Sequence, residues 1–234
     1  MIPAWNERAN LELLLPKLKE VAGSLGVDAE IIVVDAGSVD GTSEAATALG
    51  ARAIRQKERG YGGALIAGFE ACRSPFLITI DADLSHPAQF VSELWSRRDE
   101  ADVLIASRYV PGGRSETTWF RSILSQILNR TFRAFFNLPF RDLSSGFRLY
   151  RHEVVSDLIP VARDFDVLLE ILITVHQNGY RIREVPFHYM PRGSGRSHAR
   201  LLKFGRAYLA TLLRLRSRGA SAARAIPGEI TTEE

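Results

Sequence analysis

Apolar residues recur along the first half of the chain in two alternating patterns, short continuous runs and helical spacings. Glu30-Ile31-Ile32-Val33-Val34-Asp35 is a β-branched run that predicts a buried strand. Phe76-Leu77-Ile78-Thr79-Ile80 and Asp102-Val103-Leu104-Ile105 predict two more, and Arg52-Ala53-Ile54 a shorter one. Between them the spacing predicts helices over residues 11–21, from Asp40-Gly41-Thr42 to Leu49, over 64–72 and over 87–97. Gly60-Tyr61-Gly62-Gly63 reads as a flexible loop feeding the third of these helices. Strands alternating with helices predict an α/β fold, a mostly parallel sheet with helices on both faces.

The second half has a different rhythm. Over residues 119–136, Trp119, Phe120, Ile123, Leu124, Ile127, Leu128, Phe132, Phe135 and Phe136 share one helical face. Arg121, Ser125, Gln126, Asn129, Arg130 and Arg133 share the other, so a strongly amphipathic helix is expected. Residues 165–176 are apolar nearly all round and predict a buried helix. Residues 183–190 alternate as a strand, and 201–215 predict a second basic amphipathic helix. Small and charged residues follow, so a single domain over 1–216 is expected to end in a disordered tail over 217–234.

Composition narrows the function classes. At 234 residues the chain is long enough for one sizeable α/β domain. No apolar run approaches the roughly 20 residues of a spanning helix, and Met1-Ile2-Pro3 opens no secretory h-region. Membrane contact, if made, is expected to be peripheral. Cys72 is the only cysteine, which excludes an internal disulfide and fits a reducing compartment such as the cytoplasm. Net charge is only +3, yet arginines crowd at 108–151 and again at 192–218. That asymmetry points to phosphate ligands or an anionic membrane surface, and no nucleic acid is expected as a partner. For any single arginine, a solvated basic face is the simpler reading.

Ligands of open α/β sheets bind at the carboxyl ends of strands. Asp35 closes one predicted strand, and Asp81-Ala82-Asp83 closes another. In extended backbone the two carboxylates of Asp81 and Asp83 would point to the same side. Hard oxygen ligands of this kind suit Mg²⁺ or Mn²⁺, which complete their shell with water and substrate phosphate. An isolated pair would read as a helix cap. The apolar strand before it and the second acidic strand end upstream favour the metal.

Five passages then carry a resemblance. They are Ile2-Pro3-Ala4-Trp5-Asn6-Glu7; residues 31–42, IIVVDAGSVDGT; residues 80–87, IDADLSHP; Ser107-Arg108-Tyr109 with Gly112-Gly113; and residues 142–150, DLSSGFRLY. A sixth is Glu184-Val185-Pro186 with Arg192, Gly195 and Ser197. In this order the chain resembles family 2 glycosyltransferases of the GT-A (Rossmann-like) fold, and among them the dolichyl-phosphate mannosyltransferase group of polyprenyl-phosphate glycosyltransferases. The resemblance implies that Pro3, Asn6, Glu7 and Asp35 line a nucleotide pocket with Asp81, Ala82 and Asp83. It places Asp81 near ribose and metal and makes Asp83 a metal ligand. It gives Arg108, Arg121 and Arg192 to the phosphates of donor and acceptor, as catalytic groups beside Asp83, and puts Ser197 on a loop closing near the acceptor phosphate.

The activity so implied is inverting transfer of a sugar, mannose from GDP-mannose, to a polyprenyl (dolichyl-type) phosphate, with Mg²⁺ or Mn²⁺. Such an enzyme would work peripherally on the cytoplasmic face of a membrane, with or without a membrane-anchoring partner subunit. A polyprenyl phosphate is already an anionic nucleophile, so positioning and charge stabilisation matter more than a general base. A saccharide acceptor at the cell surface and a non-catalytic nucleotide-binding subunit are the alternatives. A nucleotidyltransferase would need a Gly-rich phosphate loop with a Lys near the N-terminus, and residues 3–10 have neither. His86 reads as a polar turn residue, and His198 stands where relatives often carry Lys. Two departures stand out. Ala36 replaces an acidic residue common in relatives, and Met1-Ile2-Pro3 leaves little strand before the Pro. Weak pairing beside the strand of Asp35 is therefore expected.

Overall fold

A computed structural model describes residues 1–116, 119–156, 158, 160–190, 211, 214 and 215, with backbone alone for 119–124. The chain divides into units Met1–His198 and Ala199–Glu234. In the second, Thr211, Arg214 and Leu215 are described, and all three are helical. The rest of the expected 201–215 helix and the 217–234 tail lie outside the described residues.

In the first unit, strands β1 (Ile2–Ala4), β2 (Ile32–Asp35), β3 (Arg52–Arg55) and β4 (Phe76–Thr79) alternate with helices α1 (Arg8–Ser24), α2 (Thr42–Ala48) and α3 (Gly60–Ala71). Helix α4 (Phe90–Ser96), β5 (Val103–Ser107), β6 (Arg114–Ser115), α5 (Trp119–Phe136), β7 (Arg148–Arg151), α6 (His152–Ser156), α7 (Val167–Gln177), β8 (Ile182–Pro186) and β9 (His188–Tyr189) follow. Strands β1, β2 and β3 pair in parallel. Met1 N donates to Ile78 O at 2.7 Å and Met1 O accepts from Ile80 N at 3.1 Å, which sets β4 beside β1. Beyond it come β7, antiparallel, then β5 and β8. The sheet order is therefore β3-β2-β1-β4-β7-β5-β8, with β6 and β9 as a separate parallel pair.

Burial explains why the runs become strands. Val33, Leu104 and Ile105 are fully buried, each stabilising the fold by about 1.5–3 kcal/mol. The short first strand still pairs in register, Ile2 with Val33, Pro3 with Val34 and Ala4 with Asp35, and Ala36 N extends the ladder to Ala4 O. The expected weakness there is thus confined to length. Proline in a central strand normally loses a ladder bond. Here the polar groups of Met1 face β4 and Ala4 O faces β2, so the missing N–H of Pro3 falls on the β4 side, past the last residue of that strand.

Four expectations need correction. Gly60-Tyr61-Gly62-Gly63 is not a loop but the first turn of α3. Its glycines serve close approach: a Cβ on Gly62 would overlap Ala162 O, and one on Gly63 would overlap Glu58 O. Strand β4 ends at Thr79, so Asp81-Ala82-Asp83 lies in a turn and not on a pleated strand. Strand β7, inserted antiparallel at the sheet centre, has no counterpart in the predicted pattern. Helix α5 has the expected bounds, but Asn129, assigned to its polar face, is buried, while Ile127 and Phe135 are 53% and 43% exposed. No helix among the described residues is long and apolar enough to cross a membrane.

Candidate active site

The strand order changes direction between β1 and β4, one leading to β2 and β3 and the other to β7 and β5. Open α/β sheets bind ligands outside the carboxyl ends of strands at such a switch point. Asn6 and Glu7 leave β1 there, Asp35 closes β2, and Asp81 and Asp83 follow β4.

The β1 and β2 ends are laced together. Asn6, in the left-handed region at φ 55°, donates its N–H to Ser38 Oγ at 2.8 Å, and its side-chain carbonyl accepts from Val39 N at 3.0 Å. Glu7 N donates to Thr42 Oγ1 at 3.0 Å. Asp35 Oδ1 accepts from Ser38 N at 3.0 Å and from Ser38 Oγ, while Oδ2 accepts from Ser43 Oγ at 2.8 Å. Burial pushes the Asp35 carboxyl up, but these hydrogen bonds outweigh it and hold it below the usual range. Asn6 and Asp35 thus shape the rim with atoms that the sequence reading gave to the nucleotide. Pro3 is half-buried and Trp5 stands 46% exposed at this edge.

The turn after β4 is held from within. Asp83 is buried, and its Oδ1 accepts from Ser85 N at 3.1 Å and from Ser85 Oγ. Leu84 between them takes φ 63°, a conformation costing on the order of 1 kcal/mol that the two Ser85 bonds sustain. Ala82 is buried at 3% exposure. Asp81 N donates to His86 Nδ1 at 3.2 Å, so this nitrogen serves as an acceptor. The His86 ring stacks on Phe147 at 4.9 Å. Tyr61 Oη donates to Asp81 Oδ1 at 2.9 Å. Asp81 and Asp83 supply hard oxygen donors from one turn, and among the described residues no group of three or more His, Cys, Asp and Glu that could hold a metal gathers. Two carboxylates suit a Mg²⁺- or Mn²⁺-sized ion that takes its remaining ligands from water and phosphate.

Arg108 follows β5 on the same sheet edge, but its guanidinium is not an open fork. Nε and Nη2 donate to Asp142 Oδ2 and Oδ1 at 2.8 Å each, and Nη2 also donates to Ser144 Oγ at 2.8 Å. Arg108 N reaches Asp142 Oδ2 at 3.0 Å. Burial by itself would lower the arginine and raise the acid. Their attraction overrides it, holding Arg108 above its ordinary range and Asp142 below. Arg108 is thus engaged in an internal ion pair, with only Nη1 outside these bonds. A buried carboxylate requires such a partner. Glu184 fixes the same loop, accepting from Ser107 Oγ at 2.7 Å, Asp142 N at 2.8 Å and Arg141 N at 2.8 Å. Arg121 lies on α5 with its side chain outside the described residues, as do Arg192 and Ser197 entirely.

Tyr61, Asp142, Gly146 and Glu184 had no assigned role from sequence. Asp142 and Gly146 lie within the 142–150 stretch DLSSGFRLY, and Glu184 opens Glu184-Val185-Pro186. For Tyr61 the only signal was the glycines around it.

Residues 1–159 match the Glycosyl transferase family 2 model. The dolichol-phosphate mannosyltransferase of Pyrococcus furiosus is 35% identical over 210 residues, 84% of this chain and 57% of that protein. The polyprenol monophosphomannose synthase of Mycolicibacterium smegmatis is 33% identical over 210 residues, 83% of this chain and 78% of that one. The chain thus spans just over half the length of the first relative. Glucosyl-3-phosphoglycerate synthase of Mycobacterium tuberculosis, solved with Mn²⁺, UDP and phosphoglyceric acid, superposes with a TM-score of 0.73 at 22% identity, over 97% of this chain and 78% of that one. Solved with Mg²⁺ and UDP, it gives 0.71 at 22% identity, over 92% and 77%. These structures share the fold, an α/β GT-A arrangement. The chain belongs to glycosyl transferase family 2.

Proposed function

We propose that the protein transfers a sugar from a nucleotide donor to a polyprenyl phosphate with inversion, and that the donor is GDP-mannose and the acceptor of dolichyl type. The observation that carries this reading is the Asp81–Asp83 pair at the switch point of a family 2 sheet. Support for the acceptor comes from the two relatives at 33–35% identity, both named for polyprenyl- or dolichol-phosphate mannose.

Asp83 and Asp81 would hold Mg²⁺ or Mn²⁺, which when bound supplies positive charge to the departing diphosphate. Asp35, Asn6 and Glu7 keep the nucleotide rim in shape, with Pro3 and Ala82 beside it. On the acceptor side, Arg121, Arg192 and Ser197 are assigned to the phosphate by their motif positions, joined by the Nη1 edge of Arg108. Because that phosphate is anionic at neutral pH, these groups orient it and need not deprotonate it. The exposed Ile127 and Phe135 of α5, with exposed Arg130 between them, suit peripheral contact with an anionic leaflet on the cytoplasmic side, alone or beside a membrane-anchoring subunit.

The test is transfer of radiolabelled mannose from GDP-mannose to dolichyl phosphate with Mg²⁺ or Mn²⁺. The expected product is organic-extractable and acid-labile, with activity lost in excess chelator and in Asp83→Ala. Label found only on a water-soluble glycan would replace the lipid acceptor by a saccharide. Full activity in chelator would sink the metal assignment.

A further inference from the structure

The first turn of α3 delivers a phenol to the donor-site carboxylates. Besides donating to Asp81 Oδ1 at 2.9 Å, Tyr61 stacks its ring on Phe165 at 4.6 Å with 17° between the planes. Its backbone is clamped. Gly62 N donates to Arg163 O at 2.8 Å, and Gly62 and Gly63 approach Ala162 O and Glu58 O too closely for either to carry a Cβ. The loop beneath is itself anchored: Val161 N and Ala162 N donate to Glu170 Oε2 at 3.1 and 2.7 Å, and Glu170 is 1% exposed. From the opposite side, a Cβ on Gly146 would overlap the phenol oxygen and lie 3.3 and 3.5 Å from the two Asp81 oxygens. Glycine at 146 is what lets phenol and carboxylate meet.

We infer that Tyr61 is a positioning residue of the donor site: it occupies Oδ1 of Asp81 and thereby presents Oδ2 to the ribose or the divalent cation. This rests on the reading of Asp81 as a donor-site ligand. A phenol suits the task better than a lysine or arginine would. It fixes the carboxylate by one hydrogen bond and leaves its charge available to a cation. Asp81 Oδ2 lies 3.9 Å from His86 Nδ1, beyond hydrogen-bond reach, and His86 uses that nitrogen to accept from Asp81 N. The side-chain orientation of Asp81 is therefore set by Tyr61.

The experiment is calorimetric titration of the full chain with Mn²⁺ plus GDP, and separately Mn²⁺ plus UDP, without any transfer reaction. Tyr61→Phe keeps the ring on Phe165 and removes only the hydroxyl. It is expected to melt within about 3 °C of the parent and to bind the preferred Mn²⁺–nucleotide roughly ten-fold more weakly. In an Asp81→Asn background the same change should add less than about two-fold, because the two residues act as a unit. Gly146→Ala, which wedges phenol and carboxylate apart, should weaken binding in the same direction. If Asp81→Asn weakens binding and Tyr61→Phe does not, the role of Tyr61 is overturned. A lower melting point with unchanged affinity likewise assigns it to the fold alone and overturns the inference. If Asp81→Asn itself changes nothing, the donor-site reading of Asp81 fails, and this inference with it.

Discussion

Asp142→Ala is expected to destabilise the protein by about 3–5 kcal/mol, the cost of leaving one member of a buried ion pair behind. The magnitude follows from the environment of the pair. The Asp142 side chain has 0% exposure and that of Arg108 13%. The substitution removes two guanidinium bonds of 2.8 Å, the Arg108 N bond of 3.0 Å and the Ser144 N bond of 3.2 Å, and strands a cation at the sheet edge. An exposed pair would yield only about 0–1 kcal/mol. Against a total stability of about 5–15 kcal/mol, the loss is large. Urea unfolding followed by circular dichroism, on the parent, Asp142→Ala and the apolar double variant Arg108→Met/Asp142→Leu, measures it; the double variant should regain most of the loss. The pH dependence has a definite sign. The folded carboxyl lies below its unfolded value, so its contribution is present above the ordinary carboxylate range and lost as pH falls through the depressed value. The gap between parent and Asp142→Ala should stay constant from pH 8 to about 5 and narrow below about pH 4. A gap under about 1 kcal/mol at pH 7, or one that widens in acid, would refute the captive-pair description of Arg108.

Two further outcomes are expected. Gly62→Ala should cost about 1–3 kcal/mol in urea unfolding, since its methyl overlaps Ala162 O, whereas Gly23→Ala inside α1, with nothing within 4 Å, should be stabilising; equal effects at both sites would contradict the close-approach account of α3. The double substitution Ile127→Ser/Phe135→Ser should reduce co-sedimentation with anionic liposomes several-fold at low salt without moving the melting point, and unchanged sedimentation would remove α5 as the contact surface.

The parallel strands were legible as short apolar runs, most plainly where burial is complete. Residues 32–35 and 103–107 are buried throughout, so their side chains need no alternation, while 76–79 alternates between half-buried Phe76 and Ile78 and buried Leu77 and Thr79. Strand β7 was not legible because Arg148 sits at its start fully buried, donating to Leu168 O and Leu143 O at 3.0 Å each, and an inward arginine reads as a surface residue. The same limit hid the facing of α5. Asn129 turns inward because its side-chain oxygen accepts from Leu143 N at 3.2 Å, a partner fourteen residues away. In the site, the carboxylates were legible as strand-end acids, but their partners were not. Periodicity records polarity and not pairing, so the capture of Arg108 by Asp142 and of Asp81 by Tyr61 emerges only from the fold. For glycines the pattern gives permission to bend, while at positions 62 and 63 the fold uses them to let backbones touch.

Four acidic loops of this chain close in one way. Asp35, Asp40, Asp83 and Asp142 each receive, on a single oxygen, both the N–H and the hydroxyl of a Ser or Thr two or three residues on. Each such loop is closed by a partner a few bonds away, and Asp40 and Asp142 are held from farther off as well, by Arg8 N and by Arg108. Fixing a backbone residue costs about 1–2 kcal/mol of conformational entropy, and here that cost is met when the chain folds. A ligand arriving at this sheet edge meets acidic loops that are already set, so its binding energy goes into contacts and not into ordering the protein.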